Sequence, residues 1–204
     1  MIARPNLDSL REQASQCRAC PLWKDATQTV FGEGPLHARI MLVGEQPGDK
    51  EDLAGRPFVG PAGQMLDRAL EEAGLDRRQI YITNAVKHFK FFPRGKFRLH
   101  QKPTTAEIKA CRPWYERELA AIKPQLVVAM GASAAQCVFG KITPINRNRG
   151  RTIDLDGDIT ALLTVHPSYL LRLPDETARA REYRRFVDDL KIAAEYYRKS
   201  AHAA

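Results

Sequence analysis

Four short segments carry side chains able to do chemistry. Glu45 and Asp49 lie in Gly44-Glu45-Gln46-Pro47-Gly48-Asp49, just past an apolar run, where a general base or an orienting carboxylate belongs. Asn84 closes a second apolar run, and its amide both donates and accepts. His166 follows another run and opens His166-Pro167-Ser168-Tyr169-Leu170-Leu171-Arg172. A lone histidine is more often structural, but one followed by Pro-Ser at a strand end is placed for a site. Cys17-x-x-Cys20 is a chelating pair, and Cys111 and Cys137 complete four cysteines. In a cytoplasmic chain these are poor disulfide candidates, so a metal is the first reading.

The charge is unevenly placed. The 204 residues carry a formal net charge of +8, yet residues 77–106 contain no acidic side chain. Arg77, Arg78, Lys87, Lys90, Arg94, Lys96, Arg98 and Lys102 lie there, and Arg147, Arg149 and Arg151 form a second group. A basic run is often only a solvated face, but it also tracks phosphates. Phe89, Phe91, Phe92 and Phe97 are interleaved with the first group, and aromatics among cations suit single-stranded nucleic acid.

These segments need a frame. Residues 39–44, 79–84, 125–130 and 159–165 read as buried strands. Helices are expected at 7–15, at 61–73 with Gly74 as stop, and from a Thr104 or Thr105 cap through the stripe Ile108, Cys111, Tyr115, Leu119, Ile122. Further helices run from Gly131 to Phe139 and through Tyr183, Phe186, Val187, Leu190, Ala194 and Tyr197. Alternating strands and helices predict a three-layer α/β/α sandwich around a mainly parallel four-stranded sheet, in a single domain over residues 1–204. In such a sheet the chemistry gathers beyond the carboxyl ends of the strands, in the loops after Gly44, Asn84, Gly131 and Val165. Arg4 and Pro5 precede a polar segment rather than an apolar leader, and no stretch suits a membrane span. A soluble, cytoplasmic monomer is expected.

In combination and order these motifs resemble the iron–sulfur uracil-DNA glycosylases. The likeness is carried by Gly44-Glu-Gln-Pro-Gly48, Gly55-Arg-Pro-Phe58-Val-Gly-Pro-Ala-Gly63, Asn84, Cys111-Arg-Pro-Trp114, Gly131-Ala-Ser-Ala134 and His166-Pro-Ser168, and runs from about Cys17 to Asp189. Gln46 and the basic loop ending Arg98-Leu99-His100 resemble the UdgX type within that family. The resemblance implies an α/β glycosylase fold and excision of uracil from DNA. It implies uracil contacts from Gln46, Phe58, Asn84 and His166, and catalysis by His100, Glu45, His166 and Asp49. Phe58 would stack on the base, Asn84 read its polar edge, and His166 bond the developing oxyanion. In the UdgX type the loop histidine, here His100, attacks the sugar and leaves the protein covalently joined to DNA, with Glu45 orienting it or taking its ring proton. Lys90, Arg94, Lys96, Arg98, Ser168 and Arg172 would contact the DNA strand.

The same resemblance implies a 4Fe-4S cluster held by Cys17, Cys20, His88 and Cys111, with His88 in a position usually filled by cysteine. The spacing alone also allows Cys137 as fourth ligand, or zinc bound by three cysteines and a histidine. Other readings are a glycosylase that turns over, a non-catalytic metal-containing DNA-binding module, and an electron-transfer protein. The last has no use for His166-Pro-Ser168 or the basic loop.

Overall fold

The computed structural model describes residues 6–155 and 158–201; Arg4 and Pro5, on which the absence of a leader was read, lie outside them. In chain order the elements are α1 (Leu7–Ser15), β1 (Ile40–Gly44), α2 (Asp49–Ala54), α3 (Pro61–Glu72), β2 (Tyr81–Asn84), β3 (Phe91–Arg94) and β4 (Phe97–His100). They continue as α4 (Thr105–Ile122), β5 (Leu126–Met130), α5 (Ala132–Phe139), α6 (Ile145–Asn148), β6 (Thr152–Asp154), β7 (Thr160–Thr164), α7 (Pro167–Leu171) and α8 (Glu176–Ala201).

The main sheet has the order β2-β1-β5-β7-β6. The four strands read from the sequence are its parallel members. The expected count of four is corrected to five by β6, which pairs antiparallel with β7. Three residues at a half-exposed edge give too short a pattern to be read. A two-stranded hairpin, β3–β4, stands apart from the sheet and occupies the segment expected to be a basic loop.

Strands covered on both faces must be apolar throughout, and alternate residues divide between two cores. Ile40, Leu42, Val128 and Leu162 face Leu66 and Leu70 of α3 and Phe186 and Leu190 of α8. Met41, Val43, Val127 and Leu163 face Ile108 and Tyr115 of α4 and Ala134 and Val138 of α5. Truncating a leucine such as Leu42 to alanine would cost about 2–5 kcal/mol. A smaller cluster of Leu10, Ala14, Phe31 and Ala121 seats α1 against α4. That contact brings the amino-terminal cysteines towards Cys111. Helix α4 begins with a reciprocal cap: Thr104 Oγ1 accepts from the Glu107 N–H at 3.2 Å, and Glu107 accepts from the Thr104 N–H at 2.6 Å.

In the second basic group, Arg149 is enclosed, with its side chain 8% exposed, and pairs with Glu182 at 2.5 Å and Asp189 at 2.8 Å. It ties α8 to the sheet.

Candidate active site

Parallel registry aligns the strand ends. Gly44 lies beside Asn84, and Met130 beside Thr164. The Ala85 N–H donates to the Gly44 carbonyl at 2.9 Å, and the Gly131 N–H to the Thr164 carbonyl at 2.9 Å. The following loops therefore open on one edge. There they enclose a pocket of about 200 Å³ lined by Gln46, Phe58, Asn84, His100, His166 and Ser168, among others. His100 and His166 also line an adjoining cleft of about 870 Å³, which carries Lys102 and Arg172.

Phe58 forms one side of the pocket. Its ring centroid is 5.7 Å from that of His166, and its backbone is left-handed at φ 55°. That conformation is strained for a bulky residue and persists only where neighbours enforce it. A Cβ at Gly63 would collide with the Phe58 carbonyl. A Cβ at Gly44 would collide with the Phe58 ring and the Asn84 amide oxygen. These two glycines let the ring and the amide close on the same space.

Asn84 is 2% exposed, and its Oδ1 has no hydrogen-bond partner. A buried acceptor without a donor is costly and points to a ligand that supplies one. Its backbone is held from behind: the Lys87 ammonium donates to the Asn84 carbonyl at 2.8 Å, to Thr83 Oγ1 at 2.6 Å and to Glu118 at 2.6 Å. Glu118 also accepts from the Tyr81 hydroxyl and the Gly32 N–H, both at 3.0 Å.

His166 caps α7. Its Nδ1 accepts from the Ser168 N–H at 3.2 Å and contacts the Ser168 hydroxyl at 2.8 Å, while Arg172 donates to that hydroxyl at 3.0 Å. With Nδ1 accepting, the neutral ring carries its proton on Nε2. Burial pushes the His166 pKa down to about 4, with Arg172 adding to this and Glu45 opposing it. The side chain is a neutral donor near pH 7.

His100 ends β4, opposite Phe91 in the hairpin, with its Nε2 3.3 Å from Glu45 Oε1. The other Glu45 oxygen accepts from Ser133 Oγ at 2.6 Å. Burial opposes ionisation of Glu45, but His100 and Ser133 outweigh it and hold the pKa below the usual carboxylate range. The pair sits where pocket and cleft meet. Ser133 falls within the quoted Gly131-Ala-Ser-Ala134 motif but is not readable as a Glu45 partner, because the contact spans 88 residues. Glu51 is also missed: its carboxylate accepts from the Gly48 N–H at 3.0 Å and the Gly60 N–H at 2.7 Å, lacing the two glycine-rich loops together.

Four of the expected residues have partners within the protein. Gln46 lines the pocket, and its amide donates to the Lys90 and Gln101 carbonyls at 3.1 and 3.0 Å, which staples the hairpin base. Asp49 lines neither cavity and pairs with Arg98 at 2.6 Å. Arg98 also binds Asp52 at 2.6 Å and packs over Phe89 and Phe91, so it braces the hairpin. Lys90 is paired with Glu107 at 3.0 Å at the start of α4. Arg94 and Lys96 stand exposed at the hairpin tip, available to DNA, and Ser168 and Arg172 lie at the cleft.

The profile of the Uracil DNA glycosylase superfamily matches residues 31–191. The chain belongs to that superfamily. It is 39% identical to the Type-4 uracil-DNA glycosylase of Thermotoga maritima over 95% of each chain. It is 33% identical to the Type-4 uracil-DNA glycosylase of Sulfurisphaera tokodaii, over 94% of this chain and 88% of that one. A Type-5 uracil-DNA glycosylase of Pyrobaculum aerophilum is 30% identical, over 81% and 77%.

In this glycosylase-superfamily chain the residues expected to hold a cluster can be tested against its chemistry. Among the described residues no three His, Cys, Asp or Glu side chains converge as a single metal ion requires. A cluster spreads its ligands around a cube of several atoms. Cys17 accepts from the Trp114 indole N–H at 3.2 Å and Cys111 from the Lys87 N–H at 3.2 Å, the N–H···S bonds that suit cluster sulfurs. Burial pushes the Cys111 thiol up to about 12, with Lys87 opposing and Cys20 and Cys17 adding. A thiolate there requires a cationic partner. Thr29 Oγ1 lies 3.1 Å from the Ala14 carbonyl and 2.8 Å from His88 Nε2. In the tautomer that carries its proton on Nε2, His88 donates to Thr29 and presents Nδ1, the outer-partner arrangement of a metal-binding histidine. Burial, with Arg18 adding, lowers the His88 pKa and keeps the ring neutral. The donor set fits the cluster.

Proposed function

We propose that this chain excises uracil from DNA, preferentially single-stranded, and is captured by the sugar through His100, as a single-domain monomer of the UdgX type acting in the cytoplasm. The observation that carries this reading is His100 at the mouth of the base pocket, 3.3 Å from a carboxylate anchored by Ser133. Uracil enters the pocket flipped or already unpaired. Phe58 stacks on it. Its N3–H donates to the orphan Asn84 Oδ1; cytosine has no proton at that nitrogen and would leave the acceptor unpaired. As the N1–C1′ bond breaks, its electron pair departs with uracil, and His166 Nε2–H donates to the carbonyl oxygen that gains charge. A nitrogen lone pair of His100 then bonds C1′, and Glu45 stabilises the resulting imidazolium or takes its proton. A C1′–imidazole bond offers no good leaving group to water, so the adduct persists.

Cys17, Cys20, His88 and Cys111 would hold a 4Fe-4S cluster that ties the amino-terminal segment to β2 and α4. A reading with turnover is favoured by one feature: the anchored Glu45 carboxylate could equally orient a water. Incubation with single-stranded uracil-containing DNA followed by a denaturing gel tests both. A persistent protein–DNA band is expected. Alkali-labile abasic product without a band supports turnover, and binding with neither product overturns the enzymatic reading.

A further inference from the structure

The β3–β4 hairpin has two faces, and only one is accounted for. Antiparallel pairing sets Phe91 opposite His100, Phe92 opposite Leu99 and Arg94 opposite Phe97. Alternation therefore puts Phe91, Arg98 and His100 on the face packed against Phe89. The other face carries Phe92, Arg94, Phe97 and Leu99. There Phe92 is 55% exposed, Phe97 72% and Leu99 41%. Three adjacent apolar side chains on an otherwise basic loop form a contiguous patch that calls for an occupant.

We propose that this outward face is a stacking platform for unpaired bases flanking the target nucleotide. The inference rests on the reading that the chain acts on uracil in DNA, and it assigns the preference for unpaired DNA to specific rings. Two features select this occupant. The patch is carried by the same hairpin as His100, on its opposite face: the Phe92–Leu99 pair is next in register to the pair holding His100, and Phe97 lies three residues from His100, about 10 Å along a strand. Its charge also fits a polyanion, because Arg94 and Lys96 flank the rings without a side-chain partner among the described residues, and no acid lies within residues 77–106. Rings beside cations bind bases and phosphates together, whatever the sequence. In duplex DNA the bases are already stacked on one another, and the platform loses its ligand.

The test compares wild type with Phe92→Ser/Phe97→Ser, two exposed positions, and with Phe92→Trp/Phe97→Trp. Binding to a uracil-free labelled oligothymidylate and to a duplex is measured by anisotropy across a salt series. The serine variant should bind the single strand about tenfold more weakly per ring removed, with an unchanged salt slope because every cation remains. Duplex affinity should not change, and the tryptophan variant should match or exceed wild type. Single-strand affinity within twofold of wild type for the serine variant overturns the proposal. So does concentration-dependent self-association of the wild type that the serine variant lacks, which would make the patch a protein interface. The uracil reading is judged separately, by the wild-type adduct on uracil-containing DNA, so failure of one does not hide failure of the other.

Discussion

Arg98 and Asp52 meet at 2.6 Å where the β3–β4 hairpin joins the body of the protein. Asp52 is fully enclosed, and among the described residues its carboxylate otherwise accepts only from the Thr27 N–H, at 3.0 and 3.1 Å to its two oxygens. The same guanidinium holds Asp49 through Nε and covers Phe89 and Phe91. The element that carries His100 is thus latched to α2, and the latch sets where the imidazole stands relative to Glu45.

Replacing Arg98 by alanine removes the latch and strands a buried carboxylate, at a cost of about 3 kcal/mol. Adduct formation under single-turnover conditions should slow about 10- to 100-fold, because small displacements of a nucleophile are expensive. Arg98→Lys should recover little, since one ammonium cannot span two carboxylates as the fork does. A rate equal to wild type in Arg98→Ala would show that the hairpin holds its place without the latch.

His100→Ser should abolish the covalent band while leaving uracil release detectable, because the vacated volume admits water to the sugar. Glu45→Gln should retain the pocket but slow capture about 100-fold, as the carboxylate that stabilises the imidazolium is lost. Denaturing gels and free-uracil measurement separate the two effects. A band at wild-type yield from His100→Ser would mean that another residue is the nucleophile.

Asn84→Ala separates function from folding. The amide oxygen has no partner in the free protein, so its removal should change stability by less than about 1 kcal/mol, whereas uracil excision should fall at least about 100-fold. A large drop in thermal midpoint with an unchanged single-turnover rate of uracil release would contradict the role assigned to that oxygen.

The chain displays its frame more openly than its charges. The strands around Leu42, Ile82, Val128 and Leu162 are readable because burial on both faces demands unbroken apolar runs. Gly44, Phe58, Asn84 and His166 are readable because strand ends and glycine-rich loops mark where a ligand approaches. The partners of the cationic residues are not readable, because a charge shows nothing of its partner. Lys90 finds Glu107 across 17 residues, Arg98 finds Asp49 across 49, and Arg149 finds Asp189 across 40. Only the folded chain distinguishes these from Arg94 and Lys96, which remain open to DNA. The partners of Gln46 are hidden in the same way, since they are backbone carbonyls that sequence cannot locate.

His166 makes stability depend on pH. Its folded pKa, near 4, lies below the unfolded value of about 6.5, so between these values the unfolded chain binds more protons. Folding stability attributable to this residue should therefore be lost as pH falls from about 6.5 towards 4. The thermal midpoint should drop by a few degrees over that window, and His166→Asn should flatten the drop. His88, also depressed by burial, acts in the same direction, so some slope should survive in the variant. Identical slopes in the two proteins would mean that His166 is not held neutral by its surroundings.

The purified protein should be brown and contain iron and sulfide, and His88 decides how firmly they are held. With its proton on Nε2, His88 donates to Thr29 Oγ1 at 2.8 Å and presents Nδ1 as the proposed ligand atom. His88→Ala should bleach the visible absorbance faster under a chelator, whereas His88→Cys should retain it with a changed spectrum. Thr29→Val should lie between wild type and His88→Ala, since it removes the hydroxyl that fixes the tautomer but keeps the ring. If His88→Ala leaves the spectrum and the bleaching rate unchanged, the fourth ligand is elsewhere. Cys137 would then have to leave a fully enclosed position in α5, and Cys137→Ser would bleach instead. A colourless protein carrying one zinc would overturn the cluster assignment altogether.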